Sequence, residues 1–151
     1  MKEQNVVIQE NRIFSQTLEE AEDDPSSHNK SSVILLFQPS DEEKFLFMGD
    51  ACRNSFDNIP SHKKDVIQNV DFLKIPHRGS KHNLDNEMIN YIHPKVAFIS
   101  TEKYGHYLSK AVVNVLNAIG TKVYSTNING NMCHHKNTKT HNGYSVATPI
   151  K

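Results

Sequence analysis

The chain has 151 residues, and its 17 lysine and arginine side chains balance its 17 aspartate and glutamate side chains. A net charge of zero excludes the overall basic excess that is typical of nucleic-acid-binding domains, while a local basic patch remains compatible with it. Two cysteines are too few for a disulfide framework, no apolar run approaches membrane-spanning length, and the N-terminus lacks a signal-peptide pattern. We therefore expect a single soluble, cytoplasmic domain with no membrane partner.

The first half of the chain predicts a lead-in segment, a hairpin and short helices. Residues 1–28 contain a possible helical turn from Leu18, which Thr17 and Glu20 would cap. Apolar runs at 32–38 and 44–49 predict two strands, and the five residues between them favour an antiparallel hairpin. Residues 51–59 predict a short helix, and 61–70 a second helical piece.

The second half alternates strands with helices. Strands are predicted at 71–76, 95–100 and 121–126, and helices at 84–93 and 109–120. Ser109 is the expected N-cap of the last helix and Gly120 its stop. Two Asn-Gly pairs predict a terminal hairpin within 127–151. The order β-β-α-β-α-β-α-β predicts a layered α/β (α+β) architecture.

Three of the predicted strands lead to a polar residue that can bind a metal ion. Asp50 follows the run 44–49, His77 follows 71–76, and His106 comes shortly after 95–100. Sites in α/β sheets are commonly built at strand ends and in the loops that follow them. A carboxylate and two imidazoles are suitable ligands for Zn²⁺ or Mn²⁺.

Each of these three residues also has a simpler interpretation. Asp50 could cap the next helix, His77 could be an ordinary loop residue, and His106 could lie in a surface turn. The stretch "PHRGSKH" around His77 adds groups that could hold a phosphate oxygen. The candidate substrate-binding residues are Arg78, Ser80, Lys81 and His82, and an ordinary polar turn is the alternative.

Other histidines and cysteines are weaker candidates. Cys133, His134, His135 and His141 are close in sequence, but adjacent residues on a strand point to opposite faces, so a polar hairpin is the favoured interpretation. Cys52 is expected to be a buried residue at a helix start, and His93 a helix-terminal residue.

Four motifs occur in a family-specific order. "NKSS" begins at Asn29, "MGD" ends at Asp50, "PHRGS" begins at Pro76, and "YGHY" contains His106. Over residues 29–126 this set resembles the C-terminal half of the metallo-β-lactamase-fold hydrolases. Within them it is most similar to the domain appended to the bacterial competence DNA-uptake channel and to its free-standing relatives. Their usual motifs are Asn-x-x-Ser, Thr-Gly-Asp, Pro-His-His-Gly-Ser and Gly-His-Pro.

The resemblance implies half of an αββα sandwich and a metal-dependent hydrolase. Asp50, His77 and His106 would be its catalytic residues and the candidate ligands of a two-metal Zn or Mn centre. Asp50 would bridge or ligate the metals, His77 would be a ligand or the proton donor beside them, and His106 would be the last histidine of the site. Such a centre lowers the pKa of a bound water and stabilises charge on a phosphoryl group. Whether His77 or His106 is the direct ligand stays open. The implied substrate is a phosphodiester or a nucleotide, with nucleic acid as one possibility.

Three departures from the family pattern affect this expectation. Arg78 replaces the second histidine of the usual pair, and Tyr107 replaces the proline after the late histidine. The family's first metal motif, His-x-His/Asp-x-Asp-His, does not occur in the 151 residues. We therefore expect a natural half, a fragment or a degenerate relative, whose open apolar face is covered by a partner chain or by self-association. The alternative function is an inactive interaction or scaffold subunit of the same fold.

Overall fold

The computed structural model describes residues 31–102 and 106–129. These residues form a five-stranded sheet in which the order of the strands in space is their order along the chain. Strands β1 and β2 are antiparallel, and β2 to β5 are parallel to one another. The strands are β1 (Leu35–Ser40), β2 (Glu43–Phe47), β3 (Phe72–Lys74), β4 (Val96–Ile99) and β5 (Lys122–Ser125). The predicted α/β architecture and the predicted antiparallel hairpin of the first two strands are both confirmed.

Short helices connect the parallel strands. They are α1 (Arg53–Asp57), α2 (Ser61–Lys64), α3 (Asn86–Ile92), α4 (Lys110–Ala118) and α5 (Thr126–Asn129), with 3₁₀ turns at Asp65–Ile67 and Pro76–Gly79. In the described part of the chain, no helix has the length and apolar character needed to cross a bilayer.

Residues at the helix ends explain where α3 and α4 begin and stop. The Asp85 side chain accepts a hydrogen bond from the backbone N–H of Met88 at 2.8 Å, which caps α3. His93 closes α3 in the left-handed conformation, which confirms it as a helix-terminal residue. Ser109 is the N-cap residue of α4 as predicted, although its side chain makes no capping hydrogen bond. Gly120 follows α4 with φ +86°, as expected for a helix stop.

The helices cover one face of the sheet. Alternate residues of the strands point to this face, where they are fully buried, and these are Leu46, Leu73, Ala97 and Val123. They join one apolar core with residues from the helices and their connections, including Phe56, Met88, Ile89, Ile92, Val112 and Leu116. The order of the parallel strands in space follows their order along the chain, so crossovers that obey the general right-handed rule place all connecting helices on the same side.

The opposite face of the sheet, here called the aromatic face, carries a row of rings. Neighbouring centroids along this row lie 4.9–6.1 Å apart. Exposure ranges from 5% for Tyr124 on β5 and 7% for Phe72 on β3 to 55% for Phe37 on β1. The face is formed by Leu35, Phe37, Phe45, Phe47, Phe72, Phe98 and Tyr124. A large apolar surface of this kind is typical of an interaction site.

Some predictions about local structure were wrong or fall outside the described residues. The last predicted strand, 121–126, ends at Ser125, and Thr126–Asn129 at the start of the predicted tail is helical. The rest of the terminal hairpin, the lead-in segment 1–28, and Cys133, His134, His135 and His141 lie outside the described residues. The N-cap position of α1 is occupied by Cys52, so the alternative interpretation of Asp50 as the helix cap was wrong. Cys52 itself is buried, as expected.

Candidate functional site at the carboxyl ends of the parallel strands

The parallel topology brings the predicted site residues to one edge of the sheet. Asp50 follows β2, His77 follows β3, and His106 follows β4. Because these strands are parallel neighbours, their carboxyl ends meet at the same edge, here called the rim. Asp50 and His106 are exposed and His77 is half-buried, so solvent reaches both exposed side chains.

His77 is oriented by a buried asparagine. Its Nδ1 lies 2.7 Å from Oδ1 of Asn83, whose side chain is fully buried. The Asn83 amide nitrogen donates to the backbone carbonyl of Asp50 at 2.9 Å, which fixes the amide so that Oδ1 faces the imidazole. Nδ1 of His77 must then be the donor, and Nε2 of the neutral ring keeps its lone pair. An outer hydrogen-bond partner of this kind is characteristic of metal-ligating and basic histidines.

Asn83 is held in place by an ionic network beneath it. Arg53 Nη1 donates to Asp85 at 2.9 Å, and Asp85 also caps α3. The same guanidinium donates to Asp57 and to Glu87, at 2.9 and 2.7 Å. The loop between the Pro76–Gly79 turn and α3 is thus fixed at its far end, which positions Asn83 under the imidazole.

The backbone at His77 is unusual. His77, Arg78 and Gly79 all have positive φ, at 39°, 56° and 85°. The backbone N–H of His77 donates to the carbonyl of Gly49 at 3.0 Å, which ties this turn to the residue before Asp50. Left-handed conformations of non-glycine residues cost about 1–2 kcal/mol each and are concentrated at functional sites. Such strain persists only where surrounding contacts enforce it, as they do here.

The His106 segment reaches the rim through its neighbour. The Tyr107 ring lies over the His77 imidazole, with centroids 5.0 Å apart and planes tilted by 33°. The Arg78 guanidinium lies 5.7 Å from the Tyr107 ring centroid. Tyr107 therefore packs against the imidazole and limits its rotation, a role that the sequence did not indicate.

The predicted substrate-binding residues differ in their exposure. Arg78, Lys81 and His82 are exposed. Ser80 is buried, with 4% of its surface exposed, and its hydroxyl accepts a hydrogen bond from the backbone N–H of His82 at 3.2 Å. The three exposed side chains are thus available to a ligand in solution, and their role in substrate binding stays a prediction.

The rim also contains a cation that the sequence-based reasoning missed. Lys74, the last residue of β3, is half-buried, and its ammonium donates to the carbonyl of Ile75 at 3.3 Å. Burial holds the pKa of Lys74 below its usual value, and the negative charge of Asp50 partly offsets this effect. The alternation of strand residues places Lys74 on the same face as Phe72, a signal that was available in the sequence.

The described residues alone do not assemble a complete metal site. Within 31–102 and 106–129, no three side chains of the histidine, cysteine, aspartate and glutamate types come together in a way that could hold a metal ion. Asp50 and His77 are joined at the rim through Asn83, and His106 lies next to the tyrosine that covers His77.

Comparison with known proteins links the chain to a bacterial relative. The chain is similar to ComE operon protein 3 of Bacillus subtilis (strain 168). The two are 30% identical over 111 residues, which make up 71% of this chain and 14% of that protein. No family model and no solved structure matches the chain. The match supports the competence-protein part of the resemblance and leaves the metallo-β-lactamase fold as a proposal.

Proposed function

We propose that this chain supplies part of the catalytic rim of a metal-dependent hydrolase that acts on a phosphodiester or nucleotide substrate. The orientation of His77 by Asn83 is the observation that carries the proposal. A fully buried amide that fixes one imidazole tautomer serves a histidine that must present its other nitrogen in a defined direction. A histidine that is only a surface loop residue needs no such partner.

The residues of the rim fit a bound Zn or Mn ion in part. The exposed carboxylate of Asp50 and Nε2 of His77 are donors that these ions accept, and His106 is a third candidate. When bound, the metal would supply an activated water and an electrophilic contact to a phosphoryl oxygen. Fewer than three of these donors cluster within the described residues, so the remaining ligands would come from a covering layer.

The chain's own residues would do the remaining work. His77, with Nδ1–H held by Asn83, presents Nε2 as a ligand or as a proton acceptor. Tyr107 restricts the ring, and the exposed Arg78 and Lys81 attract a phosphate oxygen through charge-assisted hydrogen bonds.

The aromatic face supports the idea of a covering layer. Leu35 and Phe37 are 56% and 55% exposed, and the rings behind them continue across all five strands. Burying such a side chain completely from full exposure contributes about 1.5–3 kcal/mol, so covering these half-exposed side chains would contribute about half as much each. A partner polypeptide or a second copy of the chain would gain this energy, and a layer there would also border the rim.

Metal content measured on the full chain, alone and with co-purifying proteins, tests the proposal. We expect stoichiometric Zn or Mn in an assembled form, together with hydrolysis of bis(p-nitrophenyl) phosphate. Asp50→Ala and His77→Ala should each remove the metal and the activity. His62→Gln is the matched control, because His62 is exposed on α2, away from the rim.

A non-catalytic interaction subunit is the second candidate function. Two observations favour it: part of the aromatic face is exposed, and the described residues contain no three-residue ligand group. Finding neither metal nor hydrolysis in any assembled form would contradict the hydrolase and support this alternative. Retention of metal by Asp50→Ala would contradict the assignment of that residue.

A further inference from the structure

Lys74 is placed where a cation is uncommon. Its side chain emerges on the aromatic face, two residues after Phe72 on β3. In the parallel register it lies between Phe47 on β2 and Phe98 on β4. The rings of Phe47 and Phe98 are both close to the Phe72 ring, at centroid distances of 5.7 and 4.9 Å. Phenylalanines on both neighbouring strands therefore flank Lys74 at the carboxyl end of β3.

This ammonium has no ion-pair partner in the part of the chain that the structure describes. The ion pairs found there use Arg53, Lys64 and Lys95 as cations. The Ile75 carbonyl, at 3.3 Å, is a long contact for one of the three donor hydrogens. Desolvating a charge without a counter-charge is unfavourable, so a nearby anion would gain a strong interaction here.

The position also favours an anion over a simple structural role. A lysine that covers apolar surface usually extends its ammonium into water, and it does so most easily from an exposed position. Lys74 is instead half-buried and lies at the rim that carries Asp50, His77 and Arg78. Its charge is close enough to Asp50 for the carboxylate to influence it, although the two make no direct ion pair.

We propose that Lys74 is an anion-binding residue of the rim and holds a phosphate group of the substrate. The identity of the reaction that it serves rests on the proposed function. Binding of the anion does not, because an ammonium interacts with phosphate without a metal ion. The ligand class is a phosphate monoester or diester whose reacting group faces Asp50 and His77. Arg78 and Lys81, which are exposed, would add attraction from the solvent side.

Titration of the full chain with inorganic phosphate, in the presence of a chelator and followed by NMR chemical shifts, tests this assignment. Lys74→Met keeps an unbranched side chain that is one atom shorter and removes the charge, so we expect phosphate affinity to fall at least about tenfold. Lys74→Arg should restore affinity to within a few fold of the original protein.

Lys122→Met is the matched control. Lys122 also belongs to a strand of the sheet, but it is exposed at the opposite, amino end of β5. This variant should bind phosphate like the original protein. Circular dichroism of all three variants confirms that the fold is retained.

Three results would overturn the inference. They are no phosphate binding by the original protein, unchanged affinity in Lys74→Met, and equal losses in Lys74→Met and Lys122→Met. The metal assay described under the proposed function distinguishes a failure of the Lys74 inference from a failure of the hydrolase proposal. Phosphate binding through Lys74 in a chain that never takes up metal would contradict only the hydrolase. Metal-dependent hydrolysis with unchanged phosphate affinity in Lys74→Met would contradict only the role of Lys74.

Discussion

Replacing Asn83 with alanine should disturb both the stability of the fold and the orientation of His77. The side chain is fully buried, and it joins the imidazole at 2.7 Å to the Asp50 carbonyl at 2.9 Å. A lost hydrogen bond costs about 1 kcal/mol, and each buried polar partner left unsatisfied costs about 1–3 kcal/mol. Since both partners are only partly buried, we expect a loss of about 2–4 kcal/mol in the free energy of unfolding.

Urea unfolding followed by circular dichroism measures this loss. With an m-value of about 2 kcal/mol/M, the midpoint should fall by on the order of 1–2 M. Asn90→Ala is the matched control, because Asn90 is exposed on α3 and bonds only within its own helix, to the backbone and side chain of Asn86. We expect that variant to stay within about 0.5 kcal/mol of the original protein.

The nitrogen-15 spectrum of the His77 ring provides an independent measurement. In the original protein the neutral ring should carry its hydrogen on Nδ1, because Asn83 Oδ1 accepts it. In Asn83→Ala this preference should be lost, and the Nε2–H tautomer should gain population. A variant that unfolds within about 0.5 kcal/mol of the original protein and keeps the Nδ1–H tautomer would refute the reasoning.

Three further predictions concern the fold around the rim and the aromatic face. Gly79→Ala should lower the free energy of unfolding by about 2–4 kcal/mol, because Gly79 has φ +85° and an added Cβ would lie 2.9 Å from a leucine methyl group. Gly120→Ala is the control: Gly120 has φ +86° with open space around it, so the loss in the same urea assay should be only about 1 kcal/mol. Equal losses in the two variants would contradict the packing argument. The pKa of Asp71 is raised by burial but lowered by a larger combined effect of hydrogen bonds, from Lys95 and from the backbone, and of the Lys95 charge, so the net direction is downward. The stabilisation that ionised Asp71 contributes is therefore complete above the carboxyl's unfolded-state pKa and is lost as the pH falls through the lower folded-state pKa. Asp71→Asn should then make the free energy of unfolding depend less steeply on pH in the acid range. An unchanged pH dependence would contradict this role of Asp71. Phe37→Ser should change the free energy of unfolding of the dilute chain by less than about 1 kcal/mol, because Phe37 is 55% exposed. The same variant should weaken the assembly that light scattering measures. Unchanged assembly would show that no partner covers this edge of the aromatic face.

The sequence allowed the strands and the meeting of their ends to be predicted. The runs before Asp50 and His77 are apolar, short and separated by helical segments, so a parallel arrangement with a shared carboxyl edge follows from general rules. The open apolar face was also expected, because the strands around Phe37 and Phe47 are too apolar to be solvated on one side.

The details that orient the site could not be predicted in this way. Asn83 lies in the polar stretch "SKHNLD", where nothing marks one asparagine as buried, since its burial depends on how the loop folds over the core. The left-handed conformation of His77 and Arg78 is imposed by tertiary contacts and contradicts the intrinsic preference of both residues. Lys74 could have been identified, because strand alternation alone places it on the aromatic face beside the rim.

The row of rings on the aromatic face, which is exposed mainly at its β1 and β2 end, also determines how any measured stability must be interpreted. Whatever covers those rings recognises the folded chain and not the unfolded one, so it raises the thermal midpoint by mass action. The midpoint should then depend on protein concentration if the cover is a second copy, and on the amount of added partner if it is not. A melting temperature measured at a single concentration would describe the assembly present in that tube and not this polypeptide alone.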